Sequence, residues 1–451
     1  WLVNMAELND DFQNRFRAAL EENDETEIKS MLLSLHYADL ADLLERQSTD
    51  KRVELIEIIR GELNPGMLAE LDDTILEQLA AQVTTDEMAS ALALLDTDDA
   101  VDVVEELPEA EQKVVLEKLP KDSRLLIEES LSFPEDSAGR LMQPRVVSMP
   151  LRSSVGEAID NLRNRHDLPS DFFDIFLVDL ENMPVGSVPL GRVMSSKRHI
   201  KLENIMMKDM KLVPVTMDQE DVAFIFRQRD LTSAPVVNSH GQLIGVITVD
   251  DIVDVIHEEH EEDIMRLAGV GEDDDLYDAV VKTTMSRFSW LFLHLVCAMT
   301  AAYVISLFQV QIEQLVVLAV LMPVVATMGG AASVQALTVS VRGIAMKEVN
   351  PSNTIRTIGK EAMVGLLNGL IFALMISIIS WFWFGNVALG VVIAMAIMIN
   401  LFVAGLSGSA LPILLQKMGY DPAVASSAFL TSITDIVGFY VFLGLGAIVL
   451  L

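Results

Sequence analysis

The chain has 451 residues with 32 basic and 66 acidic side chains, so its formal net charge at pH 7 is −34. Such an excess repels nucleic acids and anionic lipid and attracts cations, so we expect no nucleic-acid partner. Residues 1–284 hold 26 basic and 61 acidic groups, whereas the remainder is nearly neutral and apolar. The chain therefore divides into an acidic soluble part and a hydrophobic part.

The first residues turn polar and acidic within ten positions, which predicts that no secretory signal peptide is present. The single cysteine, Cys297, lies in an apolar segment, so we expect no disulfides and a soluble part that faces a reducing compartment. The sequence has no Walker loop, no HExxH and no evident nucleophile–base set. We therefore expect that the protein is not an enzyme.

Residues 5–132 are almost wholly helical in pattern, and the pattern repeats. The segment ADLADLLERQSTDKRVELIEII from Ala38 matches DDAVDVVEELPEAEQKVVLEKL from Asp98, with apolar residues at i, i+3 and i+4 spacing in both. Short helices that repeat in this way build a superhelical stack. We predict an acidic, all-α N-terminal domain that by itself indicates only an interaction surface.

Residues 133–256 contain two copies of a unit of about 60 residues, in which IFLVDLENMPVGSVPLGRV corresponds to APVVNSHGQLIGVITVDDI. Each copy is predicted to comprise a methionine-containing first strand, an amphipathic helix (155–165 and 221–229), a β-hairpin and a second helix. This arrangement resembles a tandem pair of CBS domains, which regulate many membrane transporters and some soluble enzymes. We therefore predict an α/β pair here.

The second copy carries the fuller CBS signature, GVITVDD. The resemblance implies that Gly245, Thr248 and Asp251 correspond to the adenosine-ribose site of that family, which makes ATP a candidate ligand. The first copy has Pro189 and Arg192 at the equivalent places. The sequence therefore leaves nucleotide binding open.

Residues 257–284 are predicted to form an acidic helix that connects the CBS pair to the hydrophobic part. The segment DDIVDVIHEEHEEDIMRLAG is helical in spacing and places four acids on one side: Asp251, Asp254, Glu258 and Glu262. Like charges at this spacing destabilise a helix unless cations are present. His257 and His260 flank these acids, and we interpret them as a solvated helix face rather than as metal ligands.

Residues 285–451 contain five apolar segments, each long enough to cross a bilayer as a helix. The segments are residues 288–308, 313–341, 361–384, 387–415 and 423–450. Lys and Arg precede the first segment and follow the second and fourth, whereas the other two loops have none. By the positive-inside tendency, the soluble part is predicted to be cytosolic and the C-terminus to lie outside.

One carboxylate, Asp435, lies inside the last segment, and no Lys or Arg lies inside any of the five to pair with it. A charge at bilayer depth costs a few kcal/mol or more, so it persists only where it faces a bundle interior, a water-filled path or a basic partner. Ser427, Thr431, Asp435 and Gly438 recur at i, i+4, i+8 and i+11, so we predict one stripe that faces other helices. These residues indicate a cation site.

The second and fourth segments are predicted to be interrupted, the second at Pro323 and Gly329–Gly330 and the fourth over the small and polar residues from Asn400 to Pro412. Broken backbone at membrane depth frees carbonyl groups to face ions or their waters. The alternative is close helix packing through small residues, which would explain Gly405 and Gly408 in the fourth. The small and polar residues of the second, fourth and fifth segments supply the pore-lining candidates: Gly329, Gly330, Ala331, Gln335, Asn400, Ser427 and Thr431.

The whole chain, as a multidomain integral membrane protein with an all-α N-domain, a CBS pair, an acidic connecting helix and a five-helix bundle, resembles the MgtE family of bacterial magnesium channels. The segments DPAVASSAFLTSITDIVGFYVFLGL, PVVATMGG and VRGIA carry the sharpest resemblance. It implies a homodimer in the bacterial inner membrane whose pore lies on the two-fold axis, with Asp435 selecting the ion. Ala331 departs from the Asn usual in the family, and Ser333 replaces a common glycine, so ion preference or conductance is open.

The resemblance also implies a cytosolic magnesium sensor that closes the channel when magnesium is plentiful. Its candidate ligands lie in all three soluble parts: Asp98, Asp102, Asp218, Glu220, Asp230, Asp251, Asp254, Glu259, Glu262 and Asp263. Magnesium keeps several waters and takes one or two carboxylates, which suits a pore with one aspartate per subunit. Two alternatives stay open: a channel or exporter for another divalent cation such as Co²⁺ or Mn²⁺, and a membrane-anchored CBS sensor that transports nothing.

Overall fold

The structure is a computed structural model that describes residues 8–62, 64–165, 168–169, 172–271, 274, 280–424 and 427–451. It divides into two compact units, Trp1–His257 and Glu258–Leu451, which are described separately. No cis peptide bond occurs among the described residues.

Within the described residues, the first unit opens with ten helices and a short eleventh. They are α1 (Asp10–Glu22), α2 (Glu25–Leu32), α3 (Tyr37–Glu45), α4 (Thr49–Ile59), α5 (Gly66–Ala69), α6 (Asp73–Ala80), α7 (Thr85–Leu92), α8 (Thr97–Glu105), α9 (Glu109–Lys118), α10 (Lys121–Ser130) and α11 (Ala138–Leu141).

The predicted repeat of the N-terminal domain is confirmed. The pair α3–α4 and the pair α8–α9 begin sixty positions apart, at residues 37 and 97 for the first helices and 49 and 109 for the second. In both pairs the i, i+3, i+4 apolar stripe is buried, for example Leu40 and Leu44 in α3 and Val101 and Val104 in α8. Because each helix is only two or three turns long, burial of this stripe rather than intrinsic helix propensity stabilises it.

The two CBS-like copies follow, each built on a three-stranded sheet. Their elements are β1 (Ser148–Pro150), α12 (Val155–Asn164), β2 (Asp174–Val178), β3 (Pro184–Pro189) and α13 (Leu190–Ser195), then β4 (Val213–Pro214), α14 (Gln219–Arg229), β5 (Ser233–Val237), β6 (Leu243–Thr248) and α15 (Val249–Ala268). In each sheet the first strand pairs parallel with the second, and the second pairs antiparallel with the third.

The predicted order of strand, helix, hairpin and helix is confirmed in both copies. The prediction of a methionine in each first strand is wrong for the second copy, because β4 ends at Pro214 and Met217 lies beyond it. Beyond Pro214 the Val215 amide still donates to Val237 O, whereas the carbonyls of Val215 and Met217 accept from the amides of Gly139 and Ala138 at the start of α11.

The connecting helix differs from its predicted bounds. The helix α15 begins at Val249, directly after β6, and ends at Ala268, where Gly269 adopts φ +74°. A residue with positive φ cannot continue an α-helix, and glycine takes that conformation without steric cost. The stretch predicted as one helix, residues 257–284, therefore contains the end of α15 and the start of the next helix at Val280.

Five long apolar helices occur among the described residues, which confirms the predicted number of spans. They are α16 (Val280–Ser306), α18 (Val317–Ala345), α19 (Thr354–Phe384), α20 (Val387–Lys417) and α21 (Ser427–Val449), with the short α17 (Gln309–Gln314) between the first two. In an 18-residue apolar stretch of α20, half of the residues are buried, whereas in the corresponding stretch of α16 only 6% are. The helix α20 is therefore central to the second unit, and α16 lies at its edge.

The prediction that two spans are interrupted is wrong. The helix α18 continues through Pro323 and both glycines, and α20 continues through Pro412. A proline removes only one N–H from the helix ladder, and the glycines serve close packing instead. A Cβ on Gly405 would collide with the carbonyl oxygen of Glu361, and one on Gly408 would lie 2.5 Å from that of Ser333, so the packing alternative holds for both.

Candidate ion pathway and acidic clusters

Asp435 lies in the third turn of α21, half-buried. Its Oδ1 atom is buried and has no hydrogen-bond partner among the described residues. An unpaired carboxylate oxygen at membrane depth is costly unless a cation or water serves it. The side chain is therefore available to an ion.

The stripe predicted on α21 faces neighbouring helices at two of its positions. A Cβ on Gly330 would lie 3.1 Å from Thr431 Cγ2, so Thr431 packs against α18. A Cβ on Gly438 would lie 2.7 Å from Asn400 Nδ2 and 3.1 Å from Val325 Cγ1, so Gly438 packs between α20 and α18. Ser427 and Asp435 are partly exposed. The expectation that this stripe faces protein is confirmed for Thr431 and Gly438.

One face of α18 remains exposed although it carries polar residues. This polar face consists of Thr327, Ala331, Gln335, Thr338 and Arg342, which follow one another at intervals of four, four, three and four residues. Polar side chains at membrane depth are retained where they meet water or protein rather than lipid. Thr327 and Thr338 were not among the pore-lining candidates, although their spacing from Ala331 and Gln335 is the signal that finds them.

The other pore-lining candidates of α18 and α20 lie in helix packing. Gly329, Gly330 and Asn400 are buried, and the Asn400 Nδ2 atom donates to the carbonyl oxygen of Val325 at 2.9 Å. The candidates therefore separate into an exposed set on α18 and a buried set where α18, α20 and α21 meet.

A group of carboxylates meets in the first unit, and we call it the Asp98 cluster: Asp98, Asp99 and Asp251, with Glu70 and Asp254 at its edge. Asp98 is 5% exposed, and neither of its oxygens has a hydrogen-bond partner of ordinary geometry among the described residues. Burial, followed by the charges of Asp251 and Asp99, holds the pKa of Asp98 well above its usual value.

The neighbours of Asp98 are shifted in the same direction. Burial and the charge of Asp96 raise the pKa of Asp99 to about 6. Burial raises the pKa of Asp251 to about 7, although Asp251 accepts hydrogen bonds from the backbone N and Oγ1 of Thr248 at 3.2 and 2.8 Å. Acids from α8 and from the first turn of α15 thus face one another, while His36 and His257 act on the edge members Glu70 and Asp254. A cation would relieve the repulsion among these acids.

Other predicted sensor residues have local structural roles. Asp218 caps α14 by accepting from the Glu220 amide at 3.0 Å, and Asp230 ends the same helix at φ +51°. Asp102 lies within α8, one turn after Asp98. Within the described residues, no three His, Cys, Asp or Glu side chains come together as a metal site.

The remaining sensor candidates, Glu259, Glu262 and Asp263, lie on the last turns of α15, in the second unit. Arg266 forms ion pairs with Glu262 and with Asp421, the latter in the loop between α20 and α21. Burial and the charge of Asp421 raise the pKa of Asp263.

Apolar contacts reinforce this ion pair. Leu267 packs against a cluster contributed by α18, by α21 and by the loop between α20 and α21. The members of the cluster are Leu337, Val341, Ala423 and Leu430. The end of α15 therefore packs against the C-terminal end of α18, which carries Arg342, and against the N-terminal end of α21.

Thr248, one of the three candidate nucleotide residues, lines a small cleft. Its lining includes Gln143, Arg145, Phe172 and Thr248, and its enclosed space of about 10 Å³ holds about one water. A Cβ on Gly245 would lie 2.5 Å from Met142 Sδ, so Met142 packs closely against this glycine.

Three family models match the chain. The divalent cation transporter model MgtE matches residues 322–445, the MgtE intracellular N domain matches residues 35–136, and the CBS domain matches residues 202–258. The matches fall on the membrane helices, the helical stack and the second CBS-like copy.

Three relatives share the name magnesium transporter MgtE. The protein of Enterococcus faecalis is 34% identical over 71% of this chain and 71% of its own length. That of Bacillus subtilis is 26% identical over 93% of each chain. That of Thermus thermophilus is 27% identical over 96% of this chain and 97% of its own.

Proposed function

Because the chain belongs to the MgtE family of magnesium transporters, we propose that it is a magnesium-selective channel for uptake, closed by cytosolic magnesium. The observation that carries the proposal is Asp435, a carboxylate in a membrane-spanning helix with an unpaired buried oxygen. It offers the ion one charged ligand at membrane depth.

The chemistry of the pathway suits a hydrated ion. Magnesium gives up its waters reluctantly and usually takes one or two carboxylates from a protein. The polar face of α18 offers hydroxyl and amide groups that hydrogen-bond such waters without a further carboxylate. Weak binding of this kind lets an ion enter and leave, as conduction requires. Asp435 would select the ion by charge, and the polar face would carry its waters.

A homodimer would give the polar face of α18 a partner. In one chain this face is exposed, and so is nearly all of α16. Two chains related by a two-fold axis would enclose a water-filled path between two such faces, because a two-fold operation brings the same surface of each subunit together. Two copies of Asp435 would then serve one ion.

The charges at the helix ends support a cytosolic first unit and an external C-terminus. Arg287, Arg342, Arg356 and Lys417 lie at helix ends that this topology places in the cytosol. Trp381 and Trp383 lie at the opposite end of α19, where aromatic side chains favour the membrane interface.

Contacts at the two ends of α15 support the proposal that magnesium closes the channel. At its first turn, the Asp98 cluster holds acids whose mutual repulsion a divalent ion would cancel. At its last turns, Arg266 and Leu267 contact the ends of α18 and α21. Magnesium that binds the cluster would favour the conformation with α15 in place over one in which the acids separate. Binding closes the channel only to the extent of that difference in affinity.

The closure that we propose involves magnesium alone, and ATP is a candidate ligand of the second CBS-like copy. Its candidate ribose ligand, Asp251, belongs to the Asp98 cluster. The family resemblance alone keeps nucleotide binding as an expectation.

Flux into proteoliposomes that hold a magnesium-sensitive dye tests the proposal. We expect Asp435→Asn to reduce magnesium uptake by roughly tenfold or more, because a neutral amide cannot attract the ion as a carboxylate does. Glu313→Gln, which removes an exposed acid of α17, is the matched control and should keep uptake. Unchanged uptake in Asp435→Asn would reject the pore assignment.

The same assay separates the alternatives. Competition with Co²⁺ or Mn²⁺ in excess leaves uptake of magnesium nearly intact if the channel prefers magnesium, and suppresses it if another divalent ion is the cargo. Uptake no greater than that of liposomes without protein would favour a sensor that transports nothing. Preloading magnesium on the side of the first unit should lower the initial rate if the channel is closed from the cytosol.

A further inference from the structure

Asn400 lies in the middle of the central membrane helix α20 and is 1% exposed. Its Nδ2 atom donates to the carbonyl oxygen of Val325 in α18, which is 75 residues away in sequence. Its Oδ1 atom is buried and has no hydrogen-bond partner among the described residues. A polar side chain thus joins two helices while its carbonyl oxygen stays unpaired.

Two glycines form a socket for this amide. A Cβ on Gly329 would collide with Asn400 Nδ2, and a Cβ on Gly438 would lie 2.7 Å from the same atom. Glycine weakens a helix relative to alanine, so two glycines at one point in two helices indicate a spatial requirement. The helices α18, α20 and α21 therefore meet around the amide of Asn400.

The socket borders the turn that carries Asp435. Thr434, directly before Asp435, is fully buried, and its Cβ would lie 3.1 Å from a Cβ on Gly329. The Thr434 hydroxyl donates to Thr431 O at 2.8 Å within its own helix, so it does not serve Asn400. Gly438 follows Asp435 by three residues, on the same side as Thr434. The socket around Asn400 thus borders α21 on both sides of Asp435, through Gly329 at Thr434 and through Asn400 itself at Gly438.

Stability alone does not account for Asn400. An interhelical hydrogen bond in a membrane contributes little on average, whereas a buried carbonyl oxygen without a partner is costly. The other buried polar residue of this part of α20, Ser409, avoids that cost because its hydroxyl donates to Gly405 O in its own helix at 2.8 Å. Unlike an apolar side chain, an amide fixes the direction in which the neighbouring helix approaches it.

We propose that Asn400 is a positioning residue, which holds the Asp435 turn of α21 in register with α18 and thereby sets the discrimination between magnesium and larger divalent ions. The proposal rests on the ion-selecting role proposed for Asp435. Loss of the amide lets α21 shift against α18 and widens the range of ion sizes that Asp435 accepts. Calcium, which tolerates variable coordination at longer distances, gains most from that freedom.

Two variants test the proposal from opposite sides of the socket, with uptake of magnesium and of calcium measured separately in proteoliposomes. Asn400→Leu removes the donor and the unpaired oxygen but keeps the branching at Cγ. Gly438→Ala leaves Asn400 unchanged and pushes it away from α21. We expect the ratio of magnesium to calcium uptake to fall about fivefold or more in both. Ser409→Ala should leave the ratio unchanged.

Thermal unfolding of the same purified proteins separates positioning from packing. If Asn400 only packs, both variants lower the unfolding temperature and the total uptake but keep the ratio, and the proposal is overturned. Should Asn400→Leu fail to fold, the ratio in Gly438→Ala decides alone. Asp435→Asn tests the proposed function independently. If it abolishes uptake while the Asn400 and Gly438 variants keep their selectivity, the pore role stands and only the positioning role is rejected.

Discussion

The chain holds carboxylates in two contrasting surroundings. Asp435 is the single acid of its membrane helix and is half-buried, and among the described residues its Oδ1 is unpaired and no base lies beside it. The Asp98 cluster gathers acids from α8, from the start of α15 and from the end of α5, and the pKa values of all of them are raised. Both surroundings attract cations, but a single acid binds an ion weakly enough to release it, whereas several acids need an ion to remain together.

The contrast explains why one ion can have two roles in a single chain. A site for conduction must have nearly equal free energies with the ion present and absent, and one carboxylate with polar neighbours satisfies that condition. A site for sensing must change the stability of a conformation, and that requires charges that repel one another when the ion is gone. Carboxylate number, rather than carboxylate chemistry, therefore distinguishes the two proposed roles.

The largest expected effect is a change in the stability of the first unit with pH. Because burial raises the folded-state pKa of Asp251 to about 7 and of Asp99 to about 6, their stabilising contribution is present at low pH and is lost as the pH rises through these values. Without divalent ions, the free energy of unfolding around α8 should fall by about 2–4 kcal/mol between pH 5 and pH 8.

Hydrogen exchange of the α8 amides in the full-length protein, corrected for the intrinsic dependence on pH, measures this loss. Magnesium should reduce the loss by binding the ionised acids, and Asp251→Asn should flatten the dependence. A stability that rises with pH in the absence of magnesium would contradict the electrostatic account of the cluster.

Neutralising the most buried acid of the cluster is expected to have the second largest effect. Asp98→Asn removes a charge with no hydrogen-bond partner of ordinary geometry, so the first unit should gain about 1–3 kcal/mol of stability in the absence of magnesium. The protection that added magnesium gives to α8 should shrink correspondingly. Glu129→Gln, at an exposed position of α10, controls for the change in net charge and should alter neither quantity.

Adding a carboxylate to the membrane site tests the comparison between one acid and several acids. Thr431→Asp places a second acid one turn before Asp435, which makes the single-acid site resemble the cluster. Magnesium should then bind more tightly and leave more slowly, so maximal uptake falls by roughly tenfold while half-saturation moves to lower concentration. Thr431→Asn introduces a side chain of nearly the same size as aspartate but without its charge, and it should keep most of the uptake. Faster maximal uptake in Thr431→Asp would refute the role given to carboxylate number.

Much of this arrangement is readable from the sequence, and the unreadable part has a common cause. Hydrophobic length and periodicity are local properties, so they predicted five spans, the helical repeat and the stripe of Thr431 and Gly438. The continuity of α18 through Pro323 depends on neighbours that no local pattern reveals. The same holds for Asn400, whose partner Val325 is 75 residues away.

The ion pair between Arg266 and Asp421 joins residues 155 positions apart, and it carries the smallest expected effect. The Arg266 side chain is paired with both Glu262 and Asp421, so its positive charge has the place that we propose for a metal ion in the Asp98 cluster. Arg266→Gln should weaken the hold of α15 on the membrane helices and raise uptake about two- to threefold when magnesium is high on the side of the first unit. The effect is small because partly exposed ion pairs contribute about 1 kcal/mol or less and because Leu267 keeps its apolar contacts.

Exchange of the two charges decides between an ion pair and simple packing. Arg266→Asp combined with Asp421→Arg should restore closure toward that of the unaltered protein, whereas each single change should not. If the double variant is no better than the singles, the contact anchors α15 through Leu267 alone. A cation built into the chain would then have no part in closure, and the charge of the mobile ion at the Asp98 cluster would be the sole electrostatic control.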